Sequence, residues 1–242
     1  MKINDDNNMA LPQSINPCPI LDALFEIRFT TNIYPSAVFG MIYNALKDDF
    51  PKVEDLPILQ LPEAIRANDP NLKFKPHYRI SNDGFVTQIG PDVVSISSFP
   101  KYSGWSEFSS QIFSILNKIE NIGIVNSVTR IGIRYINFFE NDIFKDIDLK
   151  ICIGDDHIAY QNTVVRTEIE QGSFKSSLQV ANNAKHNNKL GSIIDIDTFT
   201  DLNLNDFFAH KESLISDGHN KEKELFYSLL TENFLKTLNP IY

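Results

Sequence analysis

Between Leu21 and Phe29 the chain alternates: Leu21, Ala23, Phe25, Ile27 and Phe29 point one way, and Asp22, Leu24, Glu26 and Arg28 point the other. A strand sends successive side chains to opposite faces, so this run buries one face and wets the other only when extended. The pattern returns over Val128–Phe138, where Ile131, Ile133 and Tyr135 oppose Arg130, Gly132, Arg134 and Ile136. Between these runs the period changes to that of a helix. Pro35-Ser36 opens one, with Val38, Met41, Ile42, Ala45, Leu46 and Phe50 on its apolar stripe. Tyr102-x-Gly104-Trp105 leads into another, with Phe108, Ile112, Ile115, Leu116 and Ile119 inward and Gly123 as its stop. A chain that mixes periods of two and 3.6 in this way must stack helices on a sheet.

The remaining segments fill in the order. Strands at His77–Ser81, Phe85–Ile89 and Val93–Ser98 are separated by Asn82-Asp83-Gly84 and Gly90-Pro91-Asp92, and Asp-Gly between apolar runs signals a hairpin. Residues 51–74 carry Pro51, Pro57, Pro62 and Pro70 with little period; they read as a long loop with a helical turn at Pro62–Arg66, a candidate lid or partner surface. The second half predicts strands near 147–154, 162–171, 173–182 and 190–198, then helices over 204–237 broken or kinked at Ser216-Asp217-Gly218. The expected fold is α+β: a ferredoxin-like antiparallel layer over 15–140, then a second antiparallel sheet covered by C-terminal helices over 141–242. A loose Asn/Asp-rich arm precedes them at 1–14, and the acidic stretch Glu140–Asp148 is the expected boundary, although the two sheets can be continuous. No sequence repeat links the halves.

Charge and cysteine content narrow the function classes. The 242 residues carry a net charge of −9, which repels nucleic acid and anionic membrane at long range, and no long Lys/Arg run offsets it. Two cysteines, Cys18 and Cys152, point to a reducing compartment. The polar, acidic start MKINDDNNMA is unlike a signal peptide, and no apolar run reaches the length of a membrane span. The expectation is a cytoplasmic protein that contacts neither nucleic acid nor membrane. Its 18 Phe and 8 Tyr supply a ring-rich core.

Several segments taken in order resemble a sporadically distributed family of uncharacterised prokaryotic proteins of about 250 residues. They are Pro19-Ile20-Leu21-Asp22-Ala23-Leu24-Phe25-Glu26-Ile27-Arg28-Phe29, Tyr102-Ser103-Gly104-Trp105, Arg130-Ile131-Gly132-Ile133-Arg134-Tyr135-Ile136-Asn137 and Ile193-Ile194-Asp195-Ile196-Asp197-Thr198-Phe199. His219, Phe226 and Thr231 complete them. The resemblance spans nearly the whole chain and implies an accessory gene, associated with mobile or host-defence loci. It implies no activity and assigns no residue a role.

Three constellations carry chemistry. Arg28, Arg130, Arg134 and Arg166 lie on strands, and converging guanidinium groups bind phosphate or carboxylate; the competing use is pairing with Glu26, Glu168 or Glu170 across a charged sheet face. Asp195 and Asp197 share one strand face, as a divalent cation on oxygen ligands requires, and the same spacing also makes an ordinary wet face. Tyr102 and Trp105 offer rings for stacking a base, or an anchor for the helix that follows. The five histidines lack ligand spacing, and no nucleophile elbow, P-loop or dinucleotide glycine pattern occurs. We therefore expect a non-catalytic protein-binding or accessory protein with no cofactor, acting through a protein partner or as a homodimer. The loop at 51–74 and the Leu/Phe-rich tail are the candidate surfaces. The alternative is a metal-dependent enzyme on a phosphorylated or nucleotide substrate, with Asp195 and Asp197 on the cation and Arg130 and Arg134 on phosphate.

Overall fold

A computed structural model describes residues 11–157 and 162–242. Its elements, in chain order, are β1 (Ile20–Thr30), α1 (Pro35–Leu46), β2 (Lys52–Asp55), α2 (Glu63–Asn68), β3 (Tyr78–Ser81), β4 (Phe85–Ile89), β5 (Val93–Ser98), α3 (Trp105–Asn121) and β6 (Ser127–Phe139). They continue as β7 (Cys152–Ile153), β8 (Asp156–His157), β9 (Val164–Gln171), β10 (Phe174–His186), β11 (Lys189–Thr200), α4 (Phe207–Leu229) and α5 (Glu232–Thr237). Nine strands hydrogen-bond in the order β2-β3-β4-β5-β1-β6-β11-β10-β9, and β7 pairs with β8 apart from them. The protein is thus mixed helix and strand, with a large antiparallel sheet and C-terminal helices. Among the described residues no helix is long and apolar enough to cross a membrane.

The strand order contains a repeat that no residue pattern announced. Outward from β1 it reads β1-β5-β4-β3-β2, and outward from β6 it reads β6-β11-β10-β9. Each half lays down a strand, leaves it, and returns through a meander whose last strand pairs with the first. Each then adds its longest helix, α3 or α4. Topology repeats here because strand pairing and helix cover constrain layers far more tightly than they constrain side-chain identity.

The chain divides into two compact units. The first comprises Asp22–Ile133 and Phe199–Ser216, and the second Met1–Leu21, Arg134–Thr198 and Asp217–Tyr242. The division falls inside β1, β6, β11 and α4, while Glu140–Asp148 lies within the second unit.

In the first unit the predicted alternation sets the buried face. Phe25 lies opposite Ile96, Ile96 opposite Thr87, and Thr87 opposite Ile80, a row fully removed from solvent. α1 and α3 pack together and bury Val38, Ile42, Leu46, Phe108, Ile112, Ile115, Leu116 and Ile119. Each such side chain contributes roughly 1.5–3 kcal/mol of burial. At the β3–β4 turn, Asn82 Oδ1 accepts from the backbone N–H of Gly84 and of Phe85, which fixes the hairpin read from Asn-Asp-Gly. β2 was not foreseen. Lys52-Val53-Glu54-Asp55 is exposed throughout and has no buried alternation, so backbone pairing to β3 alone makes it a strand. The helical turn expected at 62–66 is α2.

The second unit has its own core of Leu178, Val180, Ile194, Ile196, Phe139, Leu225, Phe226, Leu229, Leu230 and Leu238. Leu225, Phe226, Leu229, Leu230 and Leu238 of the tail are therefore spent inside the unit. Of the break or kink expected at Ser216-Asp217-Gly218, the break does not occur: α4 runs on through these residues. A glycine inside a helix costs about 0.5–1 kcal/mol relative to alanine, less than one buried leucine returns. The strand expected near 147–154 shrinks to Cys152–Ile153. Of the expected arm, residues 1–10 lie outside the described residues. The end of the arm is docked: Ser14 bridges Ile241, whose N–H donates to Ser14 O at 2.9 Å.

Candidate functional site

The sheet face opposite the buried rows carries charged and polar side chains. In the first unit a polar row crosses five strands through Glu54, Arg79, Gln88, Ser95 and Glu26, each opposite the next. Glu26 ends the row as a shared acceptor. Its Oε1 takes Arg28 Nε at 2.8 Å and Arg130 Nη1 at 3.0 Å. Each guanidinium also lies over a ring, Arg28 over Phe74 at 4.7 Å and Arg130 over Phe199 at 4.4 Å. Such stacking holds the planar group flat while its edge donates. Phe74 reaches Arg28 from the proline-rich segment with φ of 60°, a conformation a bulky residue rarely adopts, so part of that segment folds onto the charged face. Asp92 stands nearby. Burial raises its carboxyl above the ordinary range, against Lys73, Arg28 and the backbone donors of Asp92 and Phe74, which pull it down.

The second unit holds a separate group. Arg134 on β6 donates from Nε to Asp195 Oδ1 at 2.7 Å and from Nη2 to Oδ2 at 2.6 Å. Asp195 and Asp197 do share one face of β11, with Ile194 and Ile196 buried on the other. Arg134, Arg166, Ser177, Gln179, Asp195 and Asp197 line a pocket of about 160 Å³. The four arginines thus fall into two sets: Arg28 and Arg130 on Glu26, Arg134 and Arg166 around the aspartates. Arg166 is exposed on β9 and makes no hydrogen bond or ion pair to a described residue. The pairing of Arg134 with Asp195 was not anticipated. β6 and β11 are far apart in sequence, and no local signal makes them neighbours.

With both oxygens of Asp195 on Arg134, a cation would have to displace that pair. Among the described residues no three His, Cys, Asp or Glu side chains form a group able to hold a metal. Tyr102 and Trp105 both set an edge against Phe108, at 6.2 and 6.4 Å between ring centres. Phe108 is fully buried, so these rings fasten the start of α3. Cys18 and Cys152 are exposed thiols.

Two features escaped the sequence reading. One is an open pocket of about 630 Å³ in the first unit, between the end of α3, the start of β6 and the start of α4; Asn126, Asp206 and Phe207 are among its lining. The other is a buried polar group on α4. Glu222 is 5 % exposed, and burial pushes its carboxyl up to about 8 against the pull of Lys223. His219, one turn earlier, is pushed down to about 3 by burial and then by Lys223; its Nδ1 lies 3.1 Å from the Tyr135 hydroxyl. Ile215, Gly218, Glu222, Leu225 and Leu229 form one helical stripe, all buried, so the signal for a buried glutamate was its place in that stripe.

No protein-family model matches the chain, and no curated protein matches it.

Proposed function

We propose that this protein is a non-catalytic protein-binding or accessory protein, in keeping with its resemblance to accessory genes of prokaryotic mobile or defence loci, and that it works in the cytoplasm. One observation carries the reading: two carboxylates an enzyme would deploy are already committed to arginines, Glu26 to Arg28 and Arg130, and Asp195 to Arg134. Structural ion-pair networks of this kind shape a surface and leave little charge for chemistry. The partner surface we assign is the segment around β2 and α2, where Val53, Leu61 and Ile65 stand 42, 39 and 50 % exposed. The ferredoxin-like description of the first layer belongs to the same proposal. It is supported by the order β6-β1-β5-β4, with β2 and β3 as additions at the β4 edge.

The test is recovery of the tagged chain from its native host, with mass spectrometry of what accompanies it. A protein present in stoichiometric amount, lost with Leu61→Asp plus Ile65→Asp and kept with Asp195→Ala, supports the proposal. Metal-dependent turnover of a phosphorylated substrate that disappears with Asp195→Ala overturns it.

A second reading, the metal-dependent enzyme, is favoured by one observation: two arginines and two aspartates do line a single pocket. At about 160 Å³ it is smaller than the roughly 300–1,000 Å³ of ordinary ligand sites, so it suits a small ion better than a nucleotide. Calorimetric titration with magnesium, manganese and phosphate separates the readings.

A further inference from the structure

β9 is the last strand at one end of the sheet order, and its outer edge faces no described strand. It runs eight residues, Val164–Gln171, without proline, and its register with β10 is unbroken from Gln171↔Phe174 to Val164↔Ala181, so no bulge bends it. Most of its residues are exposed, Val164 at 65 %. An edge of this length and regularity is a template for another strand. The strand at the opposite end of the order, β2, has only four residues.

The hydrogen bonding says which groups remain on offer. Just before β9, Thr163 turns both backbone groups toward β10: its carbonyl accepts from Asn182 N–H at 3.2 Å, and its N–H donates to Asn182 Oδ1 at 2.7 Å. Backbone groups alternate along a strand, so residues 165, 167, 169 and 171 also face β10, and 164, 166, 168 and 170 face outward. A second strand must meet these outward residues with outward residues of its own.

We propose that the occupant is β9 of a second copy of this chain, paired antiparallel about Thr167. With even-numbered residues facing even-numbered ones, three central registers exist. One sets Arg166 against itself, a like-charge contact with no opposite pair to offset it; another sets Glu168 against itself, which offsets the two Arg166–Glu170 contacts that register makes. The third sets Arg166 opposite Glu168 of the second copy, and two-fold symmetry makes the contact twice. In that register Val165 meets Ile169 twice on the other face, and Thr167 meets its own copy. Charges on an edge strand usually serve to block pairing. Here their spacing selects one partner and one register, and the guanidinium of Arg166 gains a carboxylate. Self-pairing along β9 does not depend on the partner surface assigned to β2 and α2.

Sedimentation velocity over a dilution series tests it. The natural chain sediments as a concentration-dependent dimer. Arg166→Glu and Glu168→Arg each raise the dissociation constant about tenfold or more, since each replaces two attractive cross-strand pairs with two repulsive ones. Both substitutions in one chain restore the dimer. An equimolar mixture of the two single variants forms a heterodimer, because every facing pair is again opposite in sign. A natural chain that stays monomeric throughout the series overturns the proposal. So does a dimer that neither single variant weakens, or a mixture of the two that remains monomeric.

Discussion

Arg134 and Asp195 meet fork to fork, with nitrogen-to-oxygen distances of 2.7 and 2.6 Å, and the aspartate side chain is only 13 % exposed. Bidentate charge-assisted bonds are the stronger kind, while the 43 % exposure of Arg134 lets solvent screen this one. A double-mutant cycle on Arg134→Gln and Asp195→Asn, followed by urea denaturation, should give a coupling of about 1 kcal/mol. A coupling near zero would show that Asp195 is not committed to Arg134 and would strengthen the cation-binding alternative.

The polar group on α4 gives stability a pH window. His219 takes up its proton near 6.5 when unfolded and near 3 when folded, so unfolding binds a proton between those values and acid destabilises. Glu222 is the reverse: it ionises near 4.5 unfolded and near 8 folded, so unfolding releases a proton and rising pH destabilises. The slopes of these two groups cancel between 4.5 and 6.5, and outside that range their contribution falls by about 1 kcal/mol per pH unit on either side. Glu222→Gln should flatten the limb from 6.5 to 8, and His219→Gln the limb from 4.5 down to 3. Urea midpoints measured across pH read both limbs. An alkaline limb unchanged in Glu222→Gln would show that Glu222 ionises in the folded chain.

Thr87 stands in the buried row between Ile80 and Ile96, fully removed from solvent, and among the described residues its hydroxyl has no hydrogen-bond partner. Valine keeps the branched shape and removes the unpaired group. Thr87→Val should therefore stabilise the protein by about 1 kcal/mol, seen as a higher melting temperature.

Phe108 seats the edges of both Tyr102 and Trp105. Phe108→Ala should cost about 3–5 kcal/mol and shift the emission of the single tryptophan to the red as its seat opens. Trp105→Phe should instead cost little and leave partner binding intact. Lost binding with an unchanged melting temperature would return Trp105 to the role of a ligand-stacking ring.

Much of the architecture was legible in the residues. β1, α1, β4, β5, α3 and β6 announced themselves because each must hide one face, and burial imposes a period that the sequence has to carry. β2 carried no such period, since an exposed edge strand hides nothing. α4 was misread at one point: Ser-Asp-Gly is a local signal for a break, and the burial of the surrounding stripe outweighs it. That misreading also concealed Glu222, which looks like a surface residue in two short helices and a core residue in one long one.

For the charged face, the sequence by itself determined which side chains share a side: Glu26 with Arg28, Arg130 with Arg134, Asp195 with Asp197. Alternation along a strand is local and needs no knowledge of neighbours. Only the tertiary structure decided who meets whom. Glu26 reaches Arg130 from 104 positions away, and Asp195 reaches Arg134 from 61. Partners so far apart are chosen by the order in which strands pair, and that order follows from how the whole chain can bury its apolar faces together.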